Sequence, residues 1–404
     1  MFISGSSTEQ NNIEKLHKSL GVLIEITKNL DPEYSMEINE LLENAIKDAS
    51  EITGKFLHKL HIKKTDPVIV KKMIAAFPTS LCVKNERHRL PINTAAWHTE
   101  SVHYVPFLAK EGIKRNIIDM GDSKRGGLLV EPKRIGGMNV LKLLSRSGMV
   151  PSCEEPYLET MKELRRSNLF LYDDIRDYDL LFWSCTNSFS PLRFDYLAEL
   201  DPEALKDDRF RDQPIIHAIT KFAVPTLFPQ ILTTFLKTSL KHHPKELGLL
   251  FQKNENGETA CECILSKCGK IETFQAIGEC IPFSDTKLPI LHHVVQHAPQ
   301  LLNEFTKYYP SAAYLRDSSG RKLCQKKLAC GNLTYENDAM FFVGKRDVEI
   351  AEVDPGTDLY PFMVAASGDT SDLSAVYYLL RRNPALANPR ERRRLVLGKR
   401  KRKL

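Results

Sequence analysis

Four cysteines and three histidines lie close together in the second half of the sequence, and they are the side chains with the clearest chemical potential. The group comprises Cys261, Cys263, Cys268, Cys280, His292, His293 and His297. Structural zinc sites usually place two cysteines two residues apart, so that the chain turns tightly around the metal. Here the first pair is separated by one residue, and Cys261 shares an apolar helical face with Cys268. The pattern favours buried thiols packed as small hydrophobic groups, with a metal site or an oxidation-sensitive thiol as alternatives.

Other chemically suggestive runs lack the spacing that catalysis or ligand binding requires. The nucleophile-elbow, zinc-protease and dinucleotide-binding motifs are absent from the sequence. Residues 121–126 contain glycine and lysine, but not in the order of a phosphate-binding loop. The acidic run 173–179 lacks the turn glycine and distal glutamate of a calcium loop, which favours a solvated acidic turn. We therefore predict no enzyme, no metal and no cofactor.

The elements that carry these side chains follow a recurring phrase. An aliphatic helix ends next to a proline, a polar turn follows, and a new helix opens with another proline. Proline suits a first helical position because its missing N–H would be unpaired there. Recurrence at about 30 to 50 residues predicts an all-α solenoid of stacked helix pairs. The predicted helix starts are Pro91, Leu180, Pro214, Thr259, Pro289, Leu323 and Pro361.

These units resemble degenerate ankyrin repeats. The family's unit opens with Gly-x-Thr-Pro-Leu-His-x-Ala and continues with a Val-x-x-Leu-Leu helix. Residues 89–95, 213–218 and 288–292 match the opening most closely, and 360–366 with 376–380 match both helices. The resemblance covers about residues 65–388 and implies a protein-binding scaffold without catalysis. It also implies that His217 and His292 hydrogen-bond to backbone within their own repeats.

We expect three regions along the chain. Residues 1–64 are predicted to form an N-terminal helical hairpin that covers the first repeat, or alternatively dimerises or docks a partner. Its second helix should begin at Pro32 and bury an apolar stripe of Ile38, Leu41, Leu42, Ala45, Ile46, Ala49, Ile52, Phe56 and Leu60. Residues 65–388 hold the repeats, interrupted by a glycine-rich surface loop at about 112–137. Residues 389–404 form a basic tail that is expected to be disordered.

The composition is typical of a folded intracellular protein with a hydrophobic core. The chain has 404 residues, 42% of them hydrophobic, and nine cysteines without a secretory signal, which favours reduced thiols. No apolar stretch is long enough to cross a bilayer. We expect an intracellular protein, with no membrane partner.

The net charge of +6 is concentrated in the tail. Nine basic residues and one glutamate give residues 390–404 a charge of +8, so the rest of the chain carries −2. Such a run is typical of a nuclear import signal, and non-specific contact with nucleic acid or a solvated tail are the alternatives. We therefore favour the nucleus over the cytoplasm, with an import receptor as a possible partner. The basic residues are Arg390, Arg392, Arg393, Arg394, Lys399, Arg400, Lys401, Arg402 and Lys403.

Together these features predict a non-enzymatic protein-interaction scaffold whose partner is unidentified. The alternative function is a nucleic-acid-associated nuclear factor whose tail binds RNA or DNA and whose repeats recruit proteins. Polar turns between helices are the predicted contact surface, although solvation alone explains them equally well. The candidate contact residues are Asn85, Arg87, Asp208, Arg209, Asn254, Asn256, Asp317 and Arg321.

Overall fold

Helices form nearly all the regular structure of this chain. The computed structural model describes residues 12, 15, 18, 19, 21, 22, 32–63, 65–115, 122–132, 137–146, 154–186, 189–208, 212–281, 289–330, 352–367, 371 and 373–388. Within these ranges, extended pairing is limited to two isolated bridges, Lys253 with Thr259 and Arg316 with Lys322. The predicted all-α class is confirmed. No described helix is long and apolar enough to cross a membrane.

The chain divides into two compact units, residues 1–227 and 228–404. This division falls inside the predicted repeat region. In the first unit the α-helices are α1 Pro32–Leu57, α2 Leu60–Lys63, α3 Pro67–Ala76, α4 Pro91–Trp97, α5 Val105–Lys114, α6 Val140–Arg146, α7 Glu154–Arg166, α8 Asp174–Asp177, α9 Leu180–Ser184, α10 Pro191–Leu200 and α11 Ile215–Phe222. Its short 3-10 helices are Pro78–Cys82, Val102–Tyr104, Asp122–Gly127 and Pro202–Lys206.

The second unit has the same kind of alternation. Its α-helices are α12 Phe228–His242, α13 Ala260–Cys268, α14 Lys270–Cys280, α15 Ile290–His297, α16 Leu302–Tyr308, α17 Leu323–Ala329, α18 Pro361–Ala366 and α19 Leu373–Arg382. Its 3-10 helices are Pro244–Leu249, Pro299–Leu301, Pro310–Tyr314 and Pro384–Ala387.

Prolines mark the points where many of these helices end or begin. Six helices end at a residue with φ between −125° and −148° and ψ between 57° and 84°, and the next residue is a proline that opens a 3-10 helix. The reason is steric, because a proline ring disfavours helical backbone in the residue before it. At the other end, Pro91 and Pro361 are the first residues of α4 and α18, and Pro214 and Pro289 directly precede α11 and α15. The predicted helix starts are confirmed within the accuracy of helix boundaries.

Helices of the first unit pack in consecutive pairs. Helices α4 and α5, α6 and α7, and α9 and α10 contact each other as pairs. The first members form one row, in which α4 packs on α6, α6 on α9, and α9 on α11. The second members form another row, in which α5 packs on α7 and α7 on α10. Each helix therefore buries its apolar side against its own pair and the adjacent pairs.

In the second unit, consecutive helices also pack on one another. Helix α15 contacts its pair partner α16 and the following helix α17, which in turn contacts α18. Helix α14 packs on both α12 and α13, and α18 packs on α19. At the end of this unit, Tyr360, Leu379 and Leu386 are buried in one hydrophobic cluster.

Helix α1 begins at Pro32 as predicted, and Leu42, Ala49 and Phe56 of its predicted apolar stripe are buried, but two other members of the stripe are not. Leu41 and Ile52 are 68% and 53% exposed, so their place in the predicted stripe was wrong. The buried face follows the contact with the Pro78–Cys82 turn, where Thr79 Oγ1 donates to Ser50 Oγ at 2.8 Å. Polar residues on the buried side are invisible to a search for apolar periodicity. The buried positions of α1 include Leu42, Ala49, Ser50, Thr53, Phe56 and Leu57.

The glycine-rich segment is partly core, whereas the sequence predicted a surface loop throughout. Its first residues, 112–114, complete α5, and Gly127, Leu128 and Leu129 are buried. A Cβ on Gly126 would meet the carbonyl oxygen of Ala109 at 2.1 Å, so glycine permits the backbones to touch here. In the described part of this segment, Gly126 therefore allows the backbone to pack closely against α5.

Candidate functional site

Three five-residue turns with the same geometry precede α4, α13 and α17, and we call them the Asx turns. They span residues 85–89, 254–258 and 317–321. In each turn the first N–H donates to the fifth carbonyl oxygen at 2.9 to 3.0 Å, and the fourth N–H donates to the first carbonyl oxygen at 2.8 to 3.0 Å. The following helix begins two residues after the turn ends.

The first side chain of each Asx turn holds it closed. Oδ1 of Asn85, Asn254 or Asp317 accepts the backbone N–H groups of the third and fifth residues at 2.8 to 3.0 Å. Such a side chain replaces a backbone carbonyl as the local acceptor. The fourth residue has positive φ in all three turns, at His88, Gly257 and Gly320. The three turns are therefore rigid, similar corners between helices.

The predicted contact residues divide into two groups by this geometry. Asn85, Asn254 and Asp317 are half-buried and occupied in closing their turns. The side chains of Arg87, Asn256 and Asp208 are exposed. Arg209 and the whole basic tail, 390–404, lie outside the described residues.

Arg321 has a structural partner. Its Nε donates to Oδ1 of Asp354 at 2.8 Å, and Asp354 is only 1% exposed. Asp354 itself begins a fourth turn, one residue longer than the Asx turns, in which Asp358 N–H donates to its carbonyl oxygen at 2.8 Å. Burial raises the pKa of Asp354, but hydrogen bonds from Arg321 and Thr357 outweigh it and hold that pKa below its usual value. The pair joins two successive turns of the second unit.

A groove opens beside the third Asx turn, within the second unit. Its volume is about 690 Å³. The lining residues come from the Pro244–Leu249 3-10 helix, the start and face of α15, the Asx turn and α17. They are Pro244, Lys245, Pro289, His292, His293, Gln296, Asp317, Ser318, Ser319 and Lys326.

His292 connects α15 to the Asx turn at the side of this groove. Its Nε2 lies 3.0 Å from the carbonyl oxygen of Arg321. The ankyrin resemblance implied a backbone bond within one repeat, but this bond reaches the turn before α17, 29 residues along the chain. His217, the other histidine of this kind, is buried on α11.

Burial keeps the groove histidines neutral. It lowers the pKa of His292, although the bond to Arg321 opposes the shift. It also lowers the pKa of His293 to about 4, with a further contribution from nearby His297. A neutral His292 that donates from Nε2 keeps a lone pair on Nδ1, and Nδ1 is buried with no hydrogen-bond partner.

The cysteine cluster is only partly buried. Cys261 is fully buried, and burial raises its pKa well above the usual value, as predicted for a packed thiol. Cys263, Cys268 and Cys280 are half-buried, and burial raises the pKa of Cys280 to about 11. No group of three or more His, Cys, Asp or Glu side chains among the described residues is arranged to hold a metal ion. Burial raises the pKa of all four thiols, which makes them poor nucleophiles at neutral pH.

The acidic run 173–179 contains one buried member that the sequence did not indicate. Asp173 and Asp177 are exposed, as expected for a solvated turn, but Asp174 is 2% exposed. Its Oδ2 accepts the N–H of Leu171 at 2.6 Å and pairs with the guanidinium of Arg125. The prediction of a solvated turn was wrong for Asp174, because a cation 49 residues away compensates its burial.

A buried arginine connects the two rows of helices in the first unit. Arg193 is fully buried on α10, and its Nη1 donates to the carbonyl oxygens of Leu144 and Ser145 at 2.6 and 3.1 Å. Those carbonyls end α6, where a positive charge also complements the helix dipole. Burial lowers the pKa of Arg193 to about 10. Nothing in the sequence distinguished this arginine from a surface residue.

Comparisons with protein-family models, with curated proteins and with solved structures found no match to this chain.

Proposed function

We propose that this chain is a non-enzymatic scaffold that binds a protein partner through the surface of an irregular, ankyrin-like helical solenoid. The observation that supports the proposal best is the recurrence of one turn. The same five-residue geometry occurs before α4, α13 and α17, with the same six-residue distance from the Asx residue to the helix start. Recurrence of a turn with the helices that follow it is typical of repeat proteins.

Consecutive packing gives the proposal its physical basis. In a solenoid each unit contacts only its neighbours, and the array presents an extended surface lined by equivalent turns. The two rows of the first unit and the α15, α17, α18 row of the second follow that pattern. Turns closed by their own side chains lose little conformational entropy on binding, which favours recognition.

The exposed turn residues supply the recognition surface in this proposal. Arg87 and Asn256 extend from turns whose backbone hydrogen bonds do not depend on their side chains. Substituting Arg87→Glu together with Asn256→Lys should therefore weaken partner binding while leaving thermal stability unchanged. Loss of stability together with binding would assign these residues to the fold and would contradict the proposal.

The basic tail supports an alternative function, a nuclear factor that contacts RNA or DNA. Its charge of +8 is confined to residues 390–404, and phosphate contacts are strongly salt-dependent. We propose nuclear localisation on the same basis. Replacing residues 399–403 with alanine should move a fluorescent fusion out of the nucleus, and unchanged nuclear signal would refute an import role.

Affinity capture distinguishes the two functions. A tagged full-length chain and a copy lacking residues 389–404 are used to capture proteins from cell extract with and without nuclease treatment, with quantitative mass spectrometry as the readout. The scaffold proposal predicts a reproducible partner on both. A partner that vanishes with nuclease treatment or with the tail would contradict it and favour the nucleic-acid alternative.

A further inference from the structure

The groove beside the third Asx turn has the size and the chemistry of a binding site. Its volume of about 690 Å³ lies within the ~300 to 1,000 Å³ typical of ligand sites. Lining residues come from four separate elements of the second unit, so the folded unit defines its shape. We therefore consider which groups the groove presents to an occupant.

Positive charge and hydrogen-bond donors predominate in the groove. Among the described residues, neither Lys245 nor Lys326 forms a salt bridge with a carboxylate. The groove's acidic residue is Asp317, whose Oδ1 already accepts two backbone N–H groups of its turn. Ser318, Ser319 and Gln296 add hydroxyl and amide donors. An anionic occupant is therefore favoured.

The size of the groove narrows the class of anion further. Inorganic phosphate satisfies the two lysines, but it fills only a small part of a volume of about 690 Å³. A peptide segment is large enough to fill the groove, and it carries carboxylates and carbonyl oxygens together.

We infer that this groove binds an acidic peptide segment of a protein partner, with its carboxylates paired to Lys245 and Lys326. The serine hydroxyls and the Gln296 amide donate to the peptide's carbonyl oxygens. This inference rests on the proposed scaffold function and specifies the partner's chemistry at one site.

Fluorescence anisotropy tests the inference with a defined probe. A fluorescein-labelled peptide of alternating glutamate and glycine is titrated with the purified full-length chain, beside the same peptide with glutamine in place of glutamate. We expect the double variant Lys245→Gln/Lys326→Gln to bind the acidic peptide about tenfold more weakly, as the loss of two partly exposed ion pairs implies. Lys237→Gln, an exposed lysine on α12 outside the groove, is the matched control and should bind normally.

Three results would overturn the inference. If the double variant and the wild type bind the acidic peptide with equal affinity, the peptide binds outside the groove. If the wild type binds the glutamate and glutamine peptides with equal affinity, the negative charge of the peptide does not contribute to binding. Displacement of the acidic peptide by inorganic phosphate at a concentration below the peptide's Kd would assign the site to a small anion. Circular dichroism of each variant checks that folding is retained, which the partial exposure of both lysines favours.

The capture experiment separates this inference from the function on which it rests. If wild type and the Lys245→Gln/Lys326→Gln variant retain the same partner equally and neither binds the acidic peptide, the groove assignment fails and the scaffold proposal stands. If neither retains any partner while the acidic peptide still binds wild type selectively, the scaffold proposal fails and the groove chemistry stands.

Discussion

Arg321 and Asp354 join two successive turns of the second unit through a hydrogen-bonded ion pair of 2.8 Å, with the carboxylate 1% exposed. Asp354 also accepts the N–H of Gly356 and the hydroxyl of Thr357, so it organises its own turn as well. A residue predicted to contact a partner thereby holds two successive turns together. The stability of the second unit should depend strongly on this pair.

The first prediction concerns the loss of Arg321. Arg321→Met leaves the Asp354 carboxylate buried without its cation, and we expect a loss of about 2 to 3 kcal/mol in the free energy of unfolding. Urea denaturation followed by circular dichroism measures it. Lys307→Gln removes the long, exposed pair with Glu304 (3.8 Å) and serves as the control, with no measurable loss expected. Equal effects of both substitutions would show that the Arg321 pair has no special structural role.

The second prediction concerns the closure of an Asx turn. Asn254→Ala removes the acceptor of two backbone N–H groups, at Asn256 and Glu258, and should cost about 1 to 2 kcal/mol. Asn254→Asp retains the acceptor oxygen but replaces the amide that donates to Oε2 of Glu258 at 3.1 Å with a second carboxylate, so it should recover only part of the loss. Asn256→Ala, two residues further and exposed, should have little effect on the thermal midpoint. A turn that tolerates Asn254→Ala would refute side-chain closure.

The third prediction compares two glycines with positive φ. A Cβ on Gly126 would meet the Ala109 carbonyl at 2.1 Å, whereas a Cβ on Gly257 meets nothing within 4 Å. Gly257→Ala should therefore cost only the backbone strain, about 1 kcal/mol, and Gly126→Ala should cost at least about 3 kcal/mol. Thermal unfolding of the two variants measures the difference. Similar losses would contradict the close approach of the glycine-rich segment to α5.

The fourth prediction is a dependence of stability on pH through His293. Its pKa is lowered from 6.5 to about 4 in the folded chain, chiefly by burial. The unfolded chain therefore binds the proton more readily, so the stabilisation is complete above pH 6.5 and is lost as pH falls toward 4. With allowance for solvent screening of a half-buried ring, the loss amounts to about 1 kcal/mol.

The variant His293→Gln isolates this contribution. Other histidines with lowered pKa values, including His292 and His58, act in the same direction and remain in the variant. Urea titrations at a series of pH values should show a shallower fall in the free energy of unfolding for His293→Gln than for wild type between pH 6.5 and 4. Parallel curves would contradict a depressed pKa at this position.

The sequence predicts the helical class and the helix starts because these depend on local chemistry. Proline at a helix start, and the restriction it places on the residue before it, act within one or two residues. The buried thiol of Cys261 was also predictable, because it repeats with Ile264 on an apolar helical face. Local rules of this kind need no knowledge of the tertiary structure.

Features that depend on distant partners could not be predicted in this way. Asp174 is buried because Arg125 lies against it, and Arg193 is buried because the carbonyls that end α6 accept its hydrogen bonds. Both partners are almost fifty residues away in sequence. The groove is likewise assembled from four elements, and no single segment carries its pattern.

Hydrogen–deuterium exchange of the full-length chain, alone and with its captured partner, distinguishes binding by the Asx turns from binding by the basic tail. The scaffold account predicts that the partner slows amide exchange in the Asx turns, at residues 85–89, 254–258 or 317–321, and in the helices that follow them. Protection confined to residues 389–404, with exchange in every turn unchanged, would contradict that account and assign binding to the tail.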